Sequence, residues 1–419
     1  MTDRRTAHVS AVMLLMTAAF MLARTGRDAW YFQQGGIQSL PFAYLGMALL
    51  ALPMAALLLS MVRVMGIRRT RVVAVAAMTA VLAAAGLAGR PGGGPAMTLF
   101  FVLVPVVFGG LFSLSWLLAG EIIGRDSPDL VRAFSRTAAA SILGGLFGAG
   151  LARGLAPWLA PRGLLLISAA TLAAALLAIA LTHRRFPPIE VAAPTGPIVA
   201  RPAFATALAE PYVRLLLSIA ALAAFSGVLI EFLFYQAASS CPGGPAERIA
   251  LFANFYIGLG VAGLAIQWFV AARLQAAIGL AGSLLILPGA IVGLMPAVIG
   301  FASGIMPAVL RLTEGGLKAS LHRSSWEQTY LAIGPGCRTE AKLLVDGVGT
   351  RLAEGLGAAL LFVGPAAVRD GSGSSAFIPA LVVAGVAWLV LTLRARRYLG
   401  SGEGMVTDPA ECYARMPDS

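Results

Sequence analysis

Apolar runs close to twenty residues long recur from one end of the chain to the other, punctuated by short stretches rich in Arg, Gly and Pro. A helix of that length crosses a hydrocarbon core of roughly 30 Å. The pattern predicts spans at residues 8–31, 40–62, 72–89, 96–122, 133–155, 163–183, 212–238, 248–272, 278–296, 297–320, 341–365 and 375–396. The longest polar and Pro-rich connection, HRRFPPIEVAAPTGPIVARPAF, falls between the sixth and seventh spans and divides six from six. The expected architecture is an all-α integral membrane protein with twelve transmembrane helices in two six-helix bundles. Residues 1–185 form the first bundle, 186–211 a central loop, 212–396 the second bundle, and 397–419 a polar tail with too little apolar surface to fold.

Composition sharpens this picture. Hydrophobic residues make up 58% and charged residues 12% of the 419 positions, against about 25% charged in soluble domains. A formal net charge of +12 would suit nucleic acid if it covered a soluble face. Here the arginines lie in short loops between spans, where they act as topology signals, so nucleic acid is not an expected partner. Arg4, Arg5, Arg63, Arg68, Arg69, Arg71, Arg125, Arg132, Arg136, Arg184, Arg185, Arg201, Arg214 and Arg273 fall on the side of the N-terminus. Arg24, Arg27, Arg90, Arg153, Arg162, Arg248 and Arg369 fall on the other. This excess places both termini and the central loop in the cytoplasm and the spans in the plasma membrane.

The loop MGIRRTR after the second span reads first as a positive-inside anchor. A latch between neighbouring helices is the alternative, although no acidic partner lies between Gly66 and Arg71. Cys241, Cys337 and Cys412 are far apart, as are His8, His183 and His322. That spacing points to neither a disulfide framework nor a metal site. There is no G-x-x-x-x-G-K-[ST] loop and no Ser/His/Asp arrangement, so neither enzymatic activity nor a cofactor is expected. The glycine runs near 144–150 and 258–263 lie inside spans and read as sites of close helix packing.

Ionisable residues inside apolar spans are the candidates for function, because each is costly to place there without a partner or a polar cavity. In the first span Arg24, Arg27 and Asp28 cluster with Tyr31 near one helical face. Two guanidiniums over an aromatic ring suit a carboxylate or a phosphate; mutual neutralisation of Arg24 and Asp28 is the other reading. Glu231, within VLIEFLFYQ, is the most isolated acid. It is either a proton-coupling group or the partner of a basic residue from span one or eleven.

The densest charge lies in 311–358, with Arg311, Glu314 and Lys318, then Glu327, Lys342, Asp346, Arg351 and Glu354. At three- or four-residue spacing such residues are neighbours on a helix surface. If Lys318, Lys342 and Arg351 face one cavity, they can neutralise a small anionic solute, with Glu314, Asp346 and Glu354 holding them when the site is empty. The alternative is an ion-pair network that locks one conformation. The expected partners are that solute and the lipid bilayer, and the chain is expected to work as a monomer.

At these residues a resemblance enters. E-x-x-Y from Glu327 to Tyr330, a short polar turn, and K-x-x-x-D-x-V-G-x-R-L from Lys342 to Leu352 resemble the ATP/ADP translocase family of plastids and intracellular bacteria, within the major facilitator superfamily. Arg24, Arg27-Asp28, Gly35-Gly36, Leu40-Pro41 and the run from Arg132 to Gly150 are similar to it as well. The resemblance implies alternating access between two six-helix halves and nucleotide exchange as the activity. Two positions depart from the family pattern: Trp326 stands where nucleotide exchangers carry a Lys, and Glu354 where they tend to carry another. Proton-coupled transport of a different solute through Glu231, and a scaffold or sensor that moves nothing, are the alternatives.

Overall fold

The structure is a computed structural model that describes residues 2–34, 40–88, 95–124, 129–155, 158–186, 204–239, 255, 257–301, 305–363 and 373–400. Residues 401–419 of the expected tail and 187–203 of the expected central loop lie outside the described residues; 397–400 continue the last helix, and Ala205–Ala209 form a short helix. Among the described residues every regular element is helical. Eight helices have the length and composition to cross a membrane, and two of them, Leu45–Ala88 and Ile257–Gly300, run 44 residues each. At 1.5 Å per residue that is about 66 Å, or two crossings. Each is broken by a glycine of positive φ, Gly66 at 80° and Gly279 at 73°, a backbone region that a side chain makes costly. These breaks turn two long helices into four spans, which brings the count to ten.

The remaining two spans, 306–329 and 335–363, carry more charge than a hydropathy pattern tolerates. With them the described residues hold twelve spans, in the predicted order. Span one is Thr2–Gln34, spans two and three divide Leu40–Ala88 at Gly66, and spans four, five and six are Pro95–Ile123, Leu130–Leu155 and Pro161–Arg185. Span seven is Pro211–Ser239, spans eight and nine divide Ile257–Gly300 at Gly279, and span twelve is Gly373–Gly400.

Span ten is displaced from its predicted limits. The stretch 321–340, expected to be largely a polar connection, is mostly helical and mostly buried. Hydropathy rejected it because of Arg323, Glu327, Arg338 and Glu340, yet these charges find partners inside the protein. The same region contains two wide helical turns of π type, Lys318–His322 and Leu343–Gly349, the kind of insertion often found at functional sites.

Span one packs into a groove made by glycines of span five. A methyl added at Gly144 would stand 2.1 Å from the Leu14 carbonyl oxygen, and one at Gly148 2.6 Å from that of Ala18. The expected packing role of this glycine run is therefore what the helices show. The halves meet where span two runs beside span eleven and span five beside span eight. Gln267 of span eight donates to the Ser135 carbonyl at 2.9 Å and to its hydroxyl at 2.8 Å. Cys337, at the start of span eleven, is buried and disulfide-bonded, which the isolated spacing of the cysteines did not predict.

Both ends of the described chain lie on one face. Arg5 donates to the Ile122 carbonyl at the end of span four, 3.3 Å away, and the His8 and Phe186 rings are 5.1 Å apart. Tyr212 meets Tyr398, from the end of span twelve, at 5.6 Å. This termini face carries most of the basic residues that follow spans.

Candidate functional site

Two layers of charge run through the second half, and they differ in exposure. The deeper layer joins spans ten and eleven near the termini face. Lys342 is 1% exposed and donates to Glu327 Oε2 at 2.6 Å and Asp346 Oδ2 at 2.7 Å. Asp346 Oδ1 accepts from Trp326 Nε1 at 3.0 Å and from the Tyr330 hydroxyl at 2.7 Å. Arg323 Nη2 lies 2.6 Å from Glu327 Oε1, and the Lys342 ammonium stands 4.2 Å from the centroid of the Tyr330 ring. The two sequence motifs are thus halves of one cluster, in which two cations meet two carboxylates. Lys342 does not face an open cavity alongside Lys318 and Arg351, because its two carboxylates enclose it. Trp326 directs its N–H at Asp346.

The second layer is partly exposed around a buried Glu314. Arg311 bridges Glu231 of span seven, at 3.2 Å, and Glu314, at 2.5 Å, so Glu231 has a partner in span ten. Lys318 donates to Glu314 at 3.0 Å. Glu314 is buried, while the side chains of Glu231 and Lys318 are 32% and 44% exposed. Gly227 makes the room: a methyl there would meet the Lys318 ammonium at 3.1 Å. Arg351 pairs with Glu354 at 2.6 Å and reaches across to span four, where a methyl on Gly109 would stand 3.7 Å from its Nη2. Exposed charges at this depth require water rather than lipid around them. They line the bundle interior between spans four, seven, ten and eleven.

The residues of span one are described in part. Arg27 is 5% exposed and turns into span four, with Nη1 donating to the Phe101 carbonyl at 3.1 Å and the guanidinium 4.1 Å from the ring of the same residue. Arg24 is exposed. The side chains of Asp28 and Tyr31 lie outside the described residues, so the aromatic surface beside Arg27 that is on view is Phe101.

Sequence reasoning missed the contacts that close the termini face. Arg63 of span two meets Glu340 of span eleven at 3.4 Å, and Glu340 also accepts from the Ala207 backbone N–H at 3.2 Å. Arg323 stands 5.5 Å over the Trp116 ring of span four, and a methyl on Gly120 would touch Leu331 at 3.2 Å. The basic loop contributes as well. Arg71 is fully buried, pairs with Glu121 at 2.7 Å, donates to the Leu114 carbonyl at 2.9 Å and meets His183 at 2.8 Å. Its acidic partner comes from the end of span four, outside the local stretch between Gly66 and Arg71.

The Arg63 to Glu340 contact predicts a measurable gate. Glu340→Gln is expected to raise, by about two- to fivefold, the rate at which a Leu331→Cys variant reacts with a maleimide from the termini side, since Arg63 is one-third exposed and such pairs contribute modestly. An unchanged rate would show that the pair closes nothing.

No family model matches the sequence, and no curated protein matches it. Among solved structures, the chain is similar to FucP, a major facilitator superfamily transporter, in the outward conformation. Identity is 14% over 93% of this chain and 98% of that one, with TM-score 0.59. It is also similar to the human organic anion transporter MFSD10, at 16% identity over 95% and 99% with TM-score 0.61. A bacterial homologue of the iron transporter ferroportin in the outward-facing state matches at 17% identity over 91% and 98%, with TM-score 0.62. None of these three is an ATP/ADP translocase. The arrangement of helices places this chain in the fold of the major facilitator transporters, as an all-α integral membrane protein.

Proposed function

We propose that this chain is a secondary transporter that moves a small organic anion across the plasma membrane by alternating access. In this reading residues 1–185 rock against 212–396, with the termini face toward the cytoplasm. The observation that carries it is the layer of partly exposed Glu231, Lys318, Arg351 and Glu354, with Arg311 and the buried Glu314 behind them, inside an otherwise apolar bundle. Arg351 and Lys318 are the anion-binding groups, and their carboxylate partners release them when cargo arrives. A guanidinium paired to one carboxylate exchanges readily for another of the same geometry. One solved neighbour, human MFSD10, is an organic anion transporter, which agrees in class.

Nucleotide exchange is the finer reading, supported by the Glu327 to Tyr330 and Lys342 to Leu352 motifs. Against a polyphosphate, the layer balances three cations with three carboxylates and has no surplus charge. We therefore favour an anion of low charge. Glu231, partly exposed and held through Arg311, is the group through which a proton gradient would act.

The test is uptake into proteoliposomes of labelled ATP, ADP and a panel of mono- and dicarboxylates, with and without internal counter-substrate and with an imposed pH gradient. Saturable uptake of one class that falls about ten- to a hundredfold in Arg351→Gln is expected, the loss that follows from removing one charged hydrogen-bond donor. Uptake that requires internal ATP or ADP would establish the nucleotide exchanger. Uptake of no anion by well-folded protein would sink the reading.

A further inference from the structure

A groove of about 440 Å³ lies on the outer side of the first half, lined by Met65, Arg68, Arg69, Val72, Val73 and His183. It sits at the corner where Gly66 breaks the long helix into spans two and three, against the end of span six. Its walls are apolar, and its charged groups are cationic. Among the described residues neither Arg68 nor Arg69 makes a hydrogen bond or an ion pair, in contrast to Arg63 and Arg71 on either side. Arg184 and Arg185, adjacent to His183, are exposed and add to the positive field, and no acidic residue lines the groove. The apolar side chains beside it face outward, with Val64 77%, Val73 42% and Leu181 47% exposed. In a membrane-embedded bundle that is surface for acyl chains.

We propose that this groove binds the head group and upper acyl chain of an anionic phospholipid from the leaflet at the termini face. The two guanidiniums take the phosphate, and Met65, Val72 and Val73 take the chain. Basic pockets between membrane helices at the cytoplasmic surface recognise lipid head groups through this combination of charge and apolar wall. The groove lies away from the charge layers of spans seven, ten and eleven, so it is a site for lipid rather than for transported solute. Through His183, which lines it and bonds to Arg71, an occupied groove steadies the Arg71 to Glu121 contact between spans three and four.

The experiment is native mass spectrometry of the full chain released from micelles containing either phosphatidylglycerol or phosphatidylcholine. Wild-type protein is expected to retain phosphatidylglycerol preferentially. Arg68→Gln with Arg69→Gln is expected to weaken that retention about 25-fold, and Arg69→Gln alone about fivefold. The single change, at an exposed residue, still decides the matter if the double variant does not fold. A control at other exposed arginines of the same face, Arg394→Gln with Arg396→Gln, is expected to change retention less than twofold. Equal retention of the two lipids, or an equal loss in the control, would overturn the site. Displacement of phosphatidylglycerol by millimolar inorganic phosphate would also overturn it, in favour of a free-anion site.

Discussion

Lys342→Met lowers the thermal midpoint of the detergent-purified protein by roughly 5–10 °C, and replacing Glu327 with Gln in the same molecule restores most of the loss. The expectation follows from what the lysine encloses. Its ammonium is 1% exposed and sits between two carboxylates at 2.6 and 2.7 Å. Removing it leaves Glu327 with Arg323 alone, and Asp346 with only the neutral donors Trp326 and Tyr330. Breaking a buried pair from one side costs roughly 3–5 kcal/mol, because the surviving charge stays desolvated. Removing a carboxylate together with the ammonium leaves Arg323 and Asp346 as the charged pair, and the cluster is again neutral. Lys342→Arg is no remedy, since a planar fork cannot occupy the space of a compact ammonium over the Tyr330 ring. The measurement is a thermal scan of wild type, single and double variants in one detergent. Equal losses in the single and double variants would show that lost packing, not uncompensated charge, is what matters.

The fold was legible wherever the physics is additive along the chain. Apolar runs near twenty residues long mark most spans, and the glycine run at 144–150 announced a close helix contact. The stretch 321–340 between the predicted spans ten and eleven escaped because hydropathy assigns each charge its cost in isolation. Arg323, Glu327 and Lys342 are inside the bundle because they neutralise one another, and neutralisation is a tertiary fact. The motif reading came nearer: E-x-x-Y and K-x-x-x-D were singled out together, and the structure joins them through Lys342 and Asp346. What spacing could not supply was direction. Arg27 meets a Phe101 carbonyl and ring on span four. Arg71 found its acid on span four, fifty residues away. In each case the deciding partner lies on another helix.

That separation of layers bears on how such a protein would work. The deep cluster is neutral and centred on the buried Lys342, Glu327 and Tyr330, which suits a joint between spans ten and eleven more than a binding surface. The upper layer is partly exposed and bridged by single contacts such as Arg311 to Glu231, which can be exchanged. In the proposed cycle, a solute that draws Arg351 or Lys318 from its carboxylate would change the balance between spans seven, ten and eleven, and the contacts that would then yield are Arg63 with Glu340 and Arg323 with Trp116.

Gly144→Leu abolishes folding altogether, the largest effect expected outside the charged clusters. Even a methyl at this position would lie 2.1 Å from the Leu14 carbonyl oxygen and 2.8 Å from the Leu14 Cα, and backbone cannot rotate aside as a side chain can. Spans one and five must separate, and with them go the hydrogen bonds that stitch this seam, such as Thr17 to Ser141 at 2.8 Å. Overpacking against side chains typically costs about 1–3 kcal/mol; against two fixed backbones the cost is higher, and the helices lose the close approach that drives their association in lipid. Gly148→Ala, 2.6 Å from the Ala18 oxygen, should be milder, and Gly150→Ala, with nothing within 4 Å, should be harmless. The readout is the fraction of each variant that elutes as a single species from size-exclusion chromatography in mild detergent. A graded loss from Gly150 through Gly148 to Gly144 is expected. If Gly144→Leu elutes as wild type does, spans one and five are not in backbone contact, and the first half must be held together by the Ser168 and Arg71 bonds instead.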